Sequence, residues 1–290
     1  MAERGFIELG VAQDIRCDGR GRLDFRCIEI EQGVLDQSNG SARVAFGSAL
    51  GTDVLASVKA SIAEPMAERP DRGTIEFNVE IAASASPKFE QQMAANLGAE
   101  LAQVLECSFG QCGFIDANDA LCIIPGQACW QLTVDLTVTN FGGNVTDAVV
   151  LAAHVALRNT SIPSLALVET EEGELDYELN ADVAAGHTLC VDCLPLCITL
   201  ARIGVDEKLF FVDAMESEET CAGSRTAVAV SRTGAVCGIV KLGGVSVGQV
   251  AMNTMLQTAV ELSKHLFAAL DSTMAEGAAD PGGIGRNGRR

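Results

Sequence analysis

The chain reads as an α+β protein, and three observations predict this class. Stretches of alternating apolar and polar residues come in runs, four near the start and four near the end, instead of taking turns with helices. A segment of almost unbroken small and branched apolar residues, Ala148 to Leu157, follows a double glycine and fits a central, buried helix. Only a few helical periods separate the strand runs, so a strictly alternating, doubly wound sheet is excluded.

The elements follow in order. Residues 1–22 form an expected lead-in helix or arm that ends in the basic turn Arg16-Cys17-Asp18-Gly19-Arg20-Gly21-Arg22. Residues 24–35 alternate, and Asn39-Gly40 is a hairpin signal before strands at 41–46 and 52–62. Residues 65–72 read as a loop, and 73–83 as a fourth strand. Met93, Leu97, Leu101, Val104 and Leu105 keep helical spacing within 89–109, and a glycine-bearing loop is expected at 110–118. Short and long strands at 121–124 and 129–140 are joined by Pro125-Gly126. In the second, Trp130, Leu132, Val134, Leu136 and Val138 share one face.

Gly142-Gly143 then breaks the chain ahead of the apolar helix. Asn144 is placed as its N-cap, with Asp147 close to a capping box. A strand running through glycines into a helix amino terminus is a natural anion site, because free N–H groups point outward there. The acids Glu169, Glu171, Glu172, Glu174, Asp176, Glu178 and Asp182 predict a solvated acidic loop. Strands resume at 197–203, 209–214, 226–231 and 235–241, a last helix spans about 247–270, and a glycine- and arginine-rich tail closes the chain. The organisation expected is an arm (1–22), one domain over 23–275 and a disordered tail (276–290). The domain has two halves, about 23–163 and 183–275, joined by an acidic loop at 164–182.

Charge and composition narrow the function. A net charge of −19 repels a phosphate backbone over most of the surface, so any nucleic-acid role leans on basic partners or a local patch. No run of apolar residues is long enough for a membrane span, and the start carries Glu3 and Glu8, so an intracellular protein is expected. The sequons at Asn39, Asn144 and Asn159 are then accidental. Of the eleven cysteines, Cys107, Cys122, Cys129 and Cys237 sit in apolar runs and read as buried free thiols.

Candidate chemistry is sparse. Cys190, Cys193 and Cys197, with His187 upstream, resemble metal spacing. A second Cys-x-x-Cys is missing, however, and Pro195 with its apolar neighbours makes the segment look like a strand entering the core. His154 and His265 both lie among apolar neighbours and read as core residues, which leaves little support for a nucleophile–histidine system. Asp213, Glu216, Glu218 and Glu219 follow the strand Phe210-Phe211-Val212. Such a cluster either holds a magnesium ion or is a solvated turn.

Several motifs now combine. Arg16-Cys17-Asp18-Gly19-Arg20, Arg26, Gly40-Ser41-Ala42-Arg43-Val44, Gly142-Gly143-Asn144-x-x-Asp147-Ala148 and Val212-Asp213-Ala214 resemble the RNase PH family, over roughly residues 10–275 and specifically its exosome branch. The resemblance implies a duplicated β-α-β fold with mixed sheets and a place in a hetero-hexameric ring around an RNA channel. It implies as partners other RNase PH-like subunits, cap subunits with RNA-binding domains, an associated nuclease and single-stranded RNA. It also implies a nuclear, nucleolar and cytoplasmic distribution, and no cofactor or membrane.

Active members of that family cleave RNA from its 3′ end with phosphate as the attacking group. They read Gly-Gly-Thr-Arg-Thr-Ala at the double glycine, where the arginine holds phosphate, and the slot here is Val145. They carry arginines on the preceding long helix, whereas this chain has only Lys88 just before it. Beyond the strand-end aspartate they carry two further acids, and the matching slots here are Glu219 and Arg225. A guanidinium in place of a carboxylate can neither bind a metal nor serve as the acid, and valine cannot hold phosphate. The resemblance therefore implies a non-catalytic ring subunit with Arg43 and Lys88 as the candidate RNA contacts. The alternative is a phosphorolytic exoribonuclease, active alone or through a site shared with a neighbouring subunit.

Overall fold

A computed structural model describes residues 2–47, 51–88, 91–169, 175–179, 186–204 and 209–279. The chain begins with helix α1 (Ala2–Ala12). Strands β1 (Ile28–Gln32), β2 (Gly40–Phe46), β3 (Thr52–Ala63) and β4 (Thr74–Ile81) follow, then helices α2 (Gln91–Gly110) and α3 (Phe114–Ala117). Strands β5 (Cys122–Ile124) and β6 (Ala128–Asn140) lead into helix α4 (Val145–Arg158). Beyond it lie β7 (Ser161–Ile162), β8 (Leu165–Glu169), β9 (Leu175–Leu179), β10 (His187–Thr188), β11 (Leu196–Arg202) and β12 (Phe210–Val212). Helix α5 (Glu216–Cys221), strands β13 (Ser224–Val230) and β14 (Val236–Leu242) and the long helix α6 (Gln249–Ala279) complete the order.

Two sheets enclose the central helix. The first has the order β1-β2-β3-β6-β4, with β5 paired on β6. It is mixed, because β4 runs parallel to β6 while its other pairs are antiparallel. The second, β12-β11-β13-β14, is wholly antiparallel. Helix α4 packs on β2 and β3 on one side and on β11 on the other, and every residue from Val145 to Leu157 is buried. That explains its composition: a helix with sheets on two sides has no face left for charge. Helix α2 lies on β4 and reaches β14, while α6 covers β11 and β13. In β6 the apolar set from Trp130 to Val138 is buried, and Gln131, Thr133, Asp135, Thr137 and Thr139 face outward or half-outward, as the alternation requires.

The structure differs from the sequence expectations at several points. Asn39-Gly40 is not a two-residue turn. Gly40 is inside β2, opposite Val58, and the Asn39 side chain bridges the amide of Ala60 and the carbonyl of Ser161. A Cβ at Gly40 would stand 2.3 Å from Thr160 Oγ1 and 2.6 Å from the Ala156 carbonyl, so close packing against the end of α4 sets this glycine. The loop expected at 110–118 contains α3. Within the acidic stretch, β8 and β9 pair as an antiparallel hairpin with Val168 opposite Asp176, so charge alone did not make it a loop. Its residues 170–174 and 180–185 lie outside the described residues. Helix α6 continues to Ala279, past the expected start of the tail, and 280–290 lie outside the described residues. The N-terminal arm does not stand apart, because Ile7 and Val11 pack with Ala201, Ile203, Phe211 and Ala214.

Candidate functional site

Three segments meet at one end of the central helix: the turn 142–144 before α4, the strand end 213–219 after β12, and the basic segment 16–26. Gly143, with φ +88°, allows the meeting. A Cβ there would lie 2.5 Å from the Ala214 carbonyl and 2.5 Å from the Glu216 amide nitrogen. The double glycine therefore serves close backbone contact. Thr52 locks the same turn: its Oγ1 accepts from the Gly142 N–H at 3.0 Å and donates to the Gly143 carbonyl at 2.5 Å.

The described carboxylates of the acid cluster each face a cation of this chain. Asp213, fully buried, accepts from Arg26 at both oxygens (2.7 and 2.9 Å) and from Arg20 Nη1 at 2.9 Å. It also accepts from Asn144 Nδ2 at 3.0 Å and the Arg26 amide at 2.8 Å. Burial works to raise the Asp213 carboxyl, but the hydrogen bond and charge of Arg26 outweigh it and hold the group below its ordinary value. Glu218, also buried, meets the Arg16 guanidinium two-pronged at 3.0 and 2.5 Å. Arg16 additionally donates to the carbonyls of Val212 and Asp213 and lies over the Phe211 ring. Glu216 pairs with Lys88 at 2.8 Å on the exposed rim.

Glu219 closes the helix end. Its Oε1 accepts the Asn144 amide N–H at 2.9 Å, and the same oxygen lies 2.8 Å from Arg225 Nη1. The amide that would greet an external anion thus holds a carboxylate of the chain itself, neutralised in turn by the guanidinium on β13. Asn144 is at the N-cap position, but in the left-handed region (φ 55°) and without a side-chain cap bond. The expected capping box is corrected accordingly: the Asn144 side chain donates to Asp147 and Asp213 instead. Val145, the residue at the phosphate slot, is 2% exposed and part of the core. Below it Asp147 is buried, with hydrogen bonds from the Thr199 amide (3.0 Å) and hydroxyl (2.6 Å); burial pushes its carboxyl up to about 6.

The remaining candidates are scattered. Arg43 sits on the outer side of β2, paired with Asp53 at 2.7 Å and Glu31 at 3.4 Å. Cys190 is exposed, Cys193 half-buried and Cys197 buried, and among the described residues no trio of His, Cys, Asp or Glu side chains gathers as a metal site. Not all of the thiols expected in the core are there: Cys107 and Cys122 are only half-buried, while Cys129 and Cys237 are buried. His154 is a core residue beside the Pro195 carbonyl at 3.1 Å, and burial drives its imidazole down to about 4. His265, by contrast, is exposed on α6, because its apolar neighbours in sequence lie on other faces of that helix.

Sequence reasoning missed the basic segment's task. Arg16 and Arg20 looked like part of a basic turn and Arg26 like a strand residue, yet all three neutralise acids some 187–202 residues further along the chain. The signal available was the pair of opposite-sign clusters, one basic at 16–26 and one acidic at 213–219.

Comparison with known proteins gives a consistent picture. The model of the 3′ exoribonuclease family matches as domain 1 over residues 24–163 and as domain 2 over residues 193–261. The RRP42 protein of Dictyostelium discoideum is 30% identical, over 95% of this chain and 97% of its own length. The exosome complex component Rrp42 of Methanothermobacter thermautotrophicus is 33% identical, over 89% of this chain and 90% of its own length. Among solved structures, a chain of the Archaeoglobus fulgidus exosome with RNA bound to the active site superposes with a TM-score of 0.79 at 28% identity, covering 93% of this chain and 98% of that one. A chain of an archaeal exosome core gives 0.73 at 26% identity, covering 91% and 94%. This chain belongs to the RNase PH family of 3′ exoribonucleases and resembles its Rrp42 members.

Proposed function

We propose that this chain is a non-catalytic structural subunit of an RNA exosome ring. One observation carries the reading: the Glu219 carboxylate occupies the Asn144 amide at the start of α4, with Arg225 paired to it. Phosphate entering there would have to displace a hydrogen-bonded carboxylate. It would then find Val145 in place of a cation. Asp213 is already engaged by Arg20, Arg26 and Asn144.

In this role the chain contributes packing surface to a hetero-hexameric ring of RNase PH-like subunits. Cap subunits and an associated nuclease supply RNA binding and chemistry, and single-stranded RNA threads the channel for 3′–5′ processing and decay. An overall charge of −19 fits a member whose neighbours provide the cations along the RNA path. The assembly would work in the nucleus, nucleolus and cytoplasm.

The test is a degradation assay on labelled single-stranded RNA, with phosphate and with magnesium or manganese. The purified chain is run alone and then with its RNase PH-like neighbours. The expected result is no product from the chain alone and stable co-purification in a ring. Phosphate-dependent release of nucleoside diphosphates by the chain alone, abolished in Asp213→Asn or Glu219→Gln, would establish the phosphorolytic alternative.

A further inference from the structure

We propose that Cys122 and Cys129 are a reversible redox pair that closes a cross-strand disulfide between β5 and β6 when the protein meets a peroxide. The register carries the inference. Cys122 and Cys129 are direct partners on antiparallel strands. Residues directly opposite in such a ladder have Cα atoms about 4.5 or 5.5 Å apart, depending on the kind of pair, and both spacings fall within the roughly 4.4–6.8 Å a disulfide spans. The pairing is irregular at this point, two residues of β5 standing against one of β6 between Ile124–Ala128 and Cys122–Cys129, and a bulge of this kind re-aims side chains locally.

Access differs between the two thiols, which divides the roles. Cys122 is half-buried and lines a cavity of about 210 Å³ together with Trp130, Ile123 and Leu189. A peroxide molecule can reach it there. Cys129 is fully buried, paired with Ala63 of β3, and is the natural second thiol. The Cys122 sulfur, as thiolate, attacks one peroxide oxygen. The O–O bond breaks, water leaves and Cys122 becomes a sulfenic acid. The Cys129 sulfur then attacks the Cys122 sulfur, the S–S bond forms, the S–O bond breaks and a second water departs with the Cys129 proton. Two thiols have lost two electrons and two protons, and the peroxide has been reduced to water. A dithiol reductant reverses the bond.

Burial and the neighbouring Asp71 hold the Cys122 thiol above its usual range, and burial does the same for Cys129. The first step therefore speeds up as pH rises, because the thiolate is the attacking form. The bond would fasten β5, a three-residue strand with a register shift in its pairing, to the longest strand of the first sheet. β5 adjoins Asn118, whose side chain grips the backbone of Cys190 through both its amide and carbonyl ends. The pair sits at the opposite end of β6 from the Gly142-Gly143 turn, so the inference does not depend on the proposed function.

The experiment treats the full chain with hydrogen peroxide, blocks the remaining thiols by alkylation and digests after acidic residues. Such cleavage yields the fragment 120–135, in which Cys122 and Cys129 are the only cysteines. The expected fragment from oxidised protein has lost two hydrogens, takes no alkyl group and takes two after dithiothreitol. The oxidised protein melts about 4 °C above the reduced one, the shift expected for closing so short a loop. Cys122→Ser, at a half-exposed position that should leave folding intact, abolishes both effects. A fragment in which Cys122 reaches the sulfinic acid while Cys129 remains alkylatable would overturn the proposal. So would a bridge found instead among Cys112, Cys193 and Cys237, which line a different cavity.

Discussion

Replacing Arg26 by methionine should destabilise the fold by about 3–4 kcal/mol. The side chain is 8% exposed and makes four hydrogen bonds at once: two to the Asp213 carboxylate and one to each carbonyl of Gly142 and Gly143. Methionine keeps part of the stem but removes the guanidinium, including its place over the Phe46 ring, so the loss is chiefly that of the charged head group. Removing one member of a buried pair typically costs about 3–5 kcal/mol, because the other charge is stranded. Asp213 would keep Arg20, Asn144 and the Arg26 amide, which places the ion-pair loss near the low end. The two carbonyls add roughly 1 kcal/mol between them, since water can replace part of what they lose. Urea unfolding measures the sum, and with a slope of about 3 kcal/mol/M the midpoint should fall by about 1 M. The sign of the pH dependence follows from the direction of the shift. A carboxyl held below its ordinary value contributes stability that is present above about pH 4 and is lost as pH falls through the depressed value, so this acid limb should shrink in Arg26→Met. Asp213→Asn on the Arg26→Met background should cost much less than the two single changes together. A single-variant loss below about 1 kcal/mol, or strict additivity in the double variant, would refute the network as described.

Gly143→Ala should disrupt the meeting of the turn and the strand end, because the new methyl faces backbone atoms of 214–216 at about the 2.5 Å spacing; a loss of about 3 kcal/mol or more in thermal or urea unfolding is expected. Glu219→Gln keeps the shape but leaves Arg225 without its counter-charge, so the Asn144 amide should exchange its hydrogen faster with solvent while global stability falls by about 1 kcal/mol. His154 and Asp147 should oppose one another in mild acid. The buried imidazole, held near 4, withdraws stability as pH falls from about 6.5. The buried carboxyl, raised to about 6, returns stability as pH falls over its own range. His154→Gln should therefore make the protein more stable at pH 5 relative to pH 7 than the parent is, as read by denaturant midpoints at the two pH values.

The strands and the central helix were legible because period and burial are local. Trp130 to Val138 alternate, and their alternation is the burial pattern of β6. Ala148 to Leu157 have no polar face, and α4 has a sheet on each side. The site was legible only as a set of positions. Gly142, Gly143, Asn144, Val145, Glu219 and Arg225 could be named, but nothing local says that Glu219 reaches the Asn144 amide or that Arg225 reaches Glu219. Those contacts depend on two halves of the chain closing over α4. Asn39-Gly40 marked the β1–β2 hairpin, but not its form, since the connection runs over 33–39. Glycine there answers the end of α4, remote in sequence, and the dipeptide carries the turn signal regardless. The β8–β9 hairpin was hidden because its acids, read as a run, outweighed the alternation of Leu165, Leu167, Leu175, Tyr177 and Leu179 beneath them.

The balance of charge around the turn shows what the motif residues do in the fold. Asp213, Glu216, Glu218 and Glu219 face Arg26 and Arg20, Lys88, Arg16 and Arg225 in turn. The cluster is close to neutral inside a chain of net charge −19. An active phosphate site needs the opposite arrangement, with cations left unpaired and amides left open so that the incoming anion completes them. Here the guanidinium groups are consumed by carboxylates of the same chain, and the pairs run between the N-terminal segment, the first half's turn and the second half's strand end. Their energy goes into holding these three segments together.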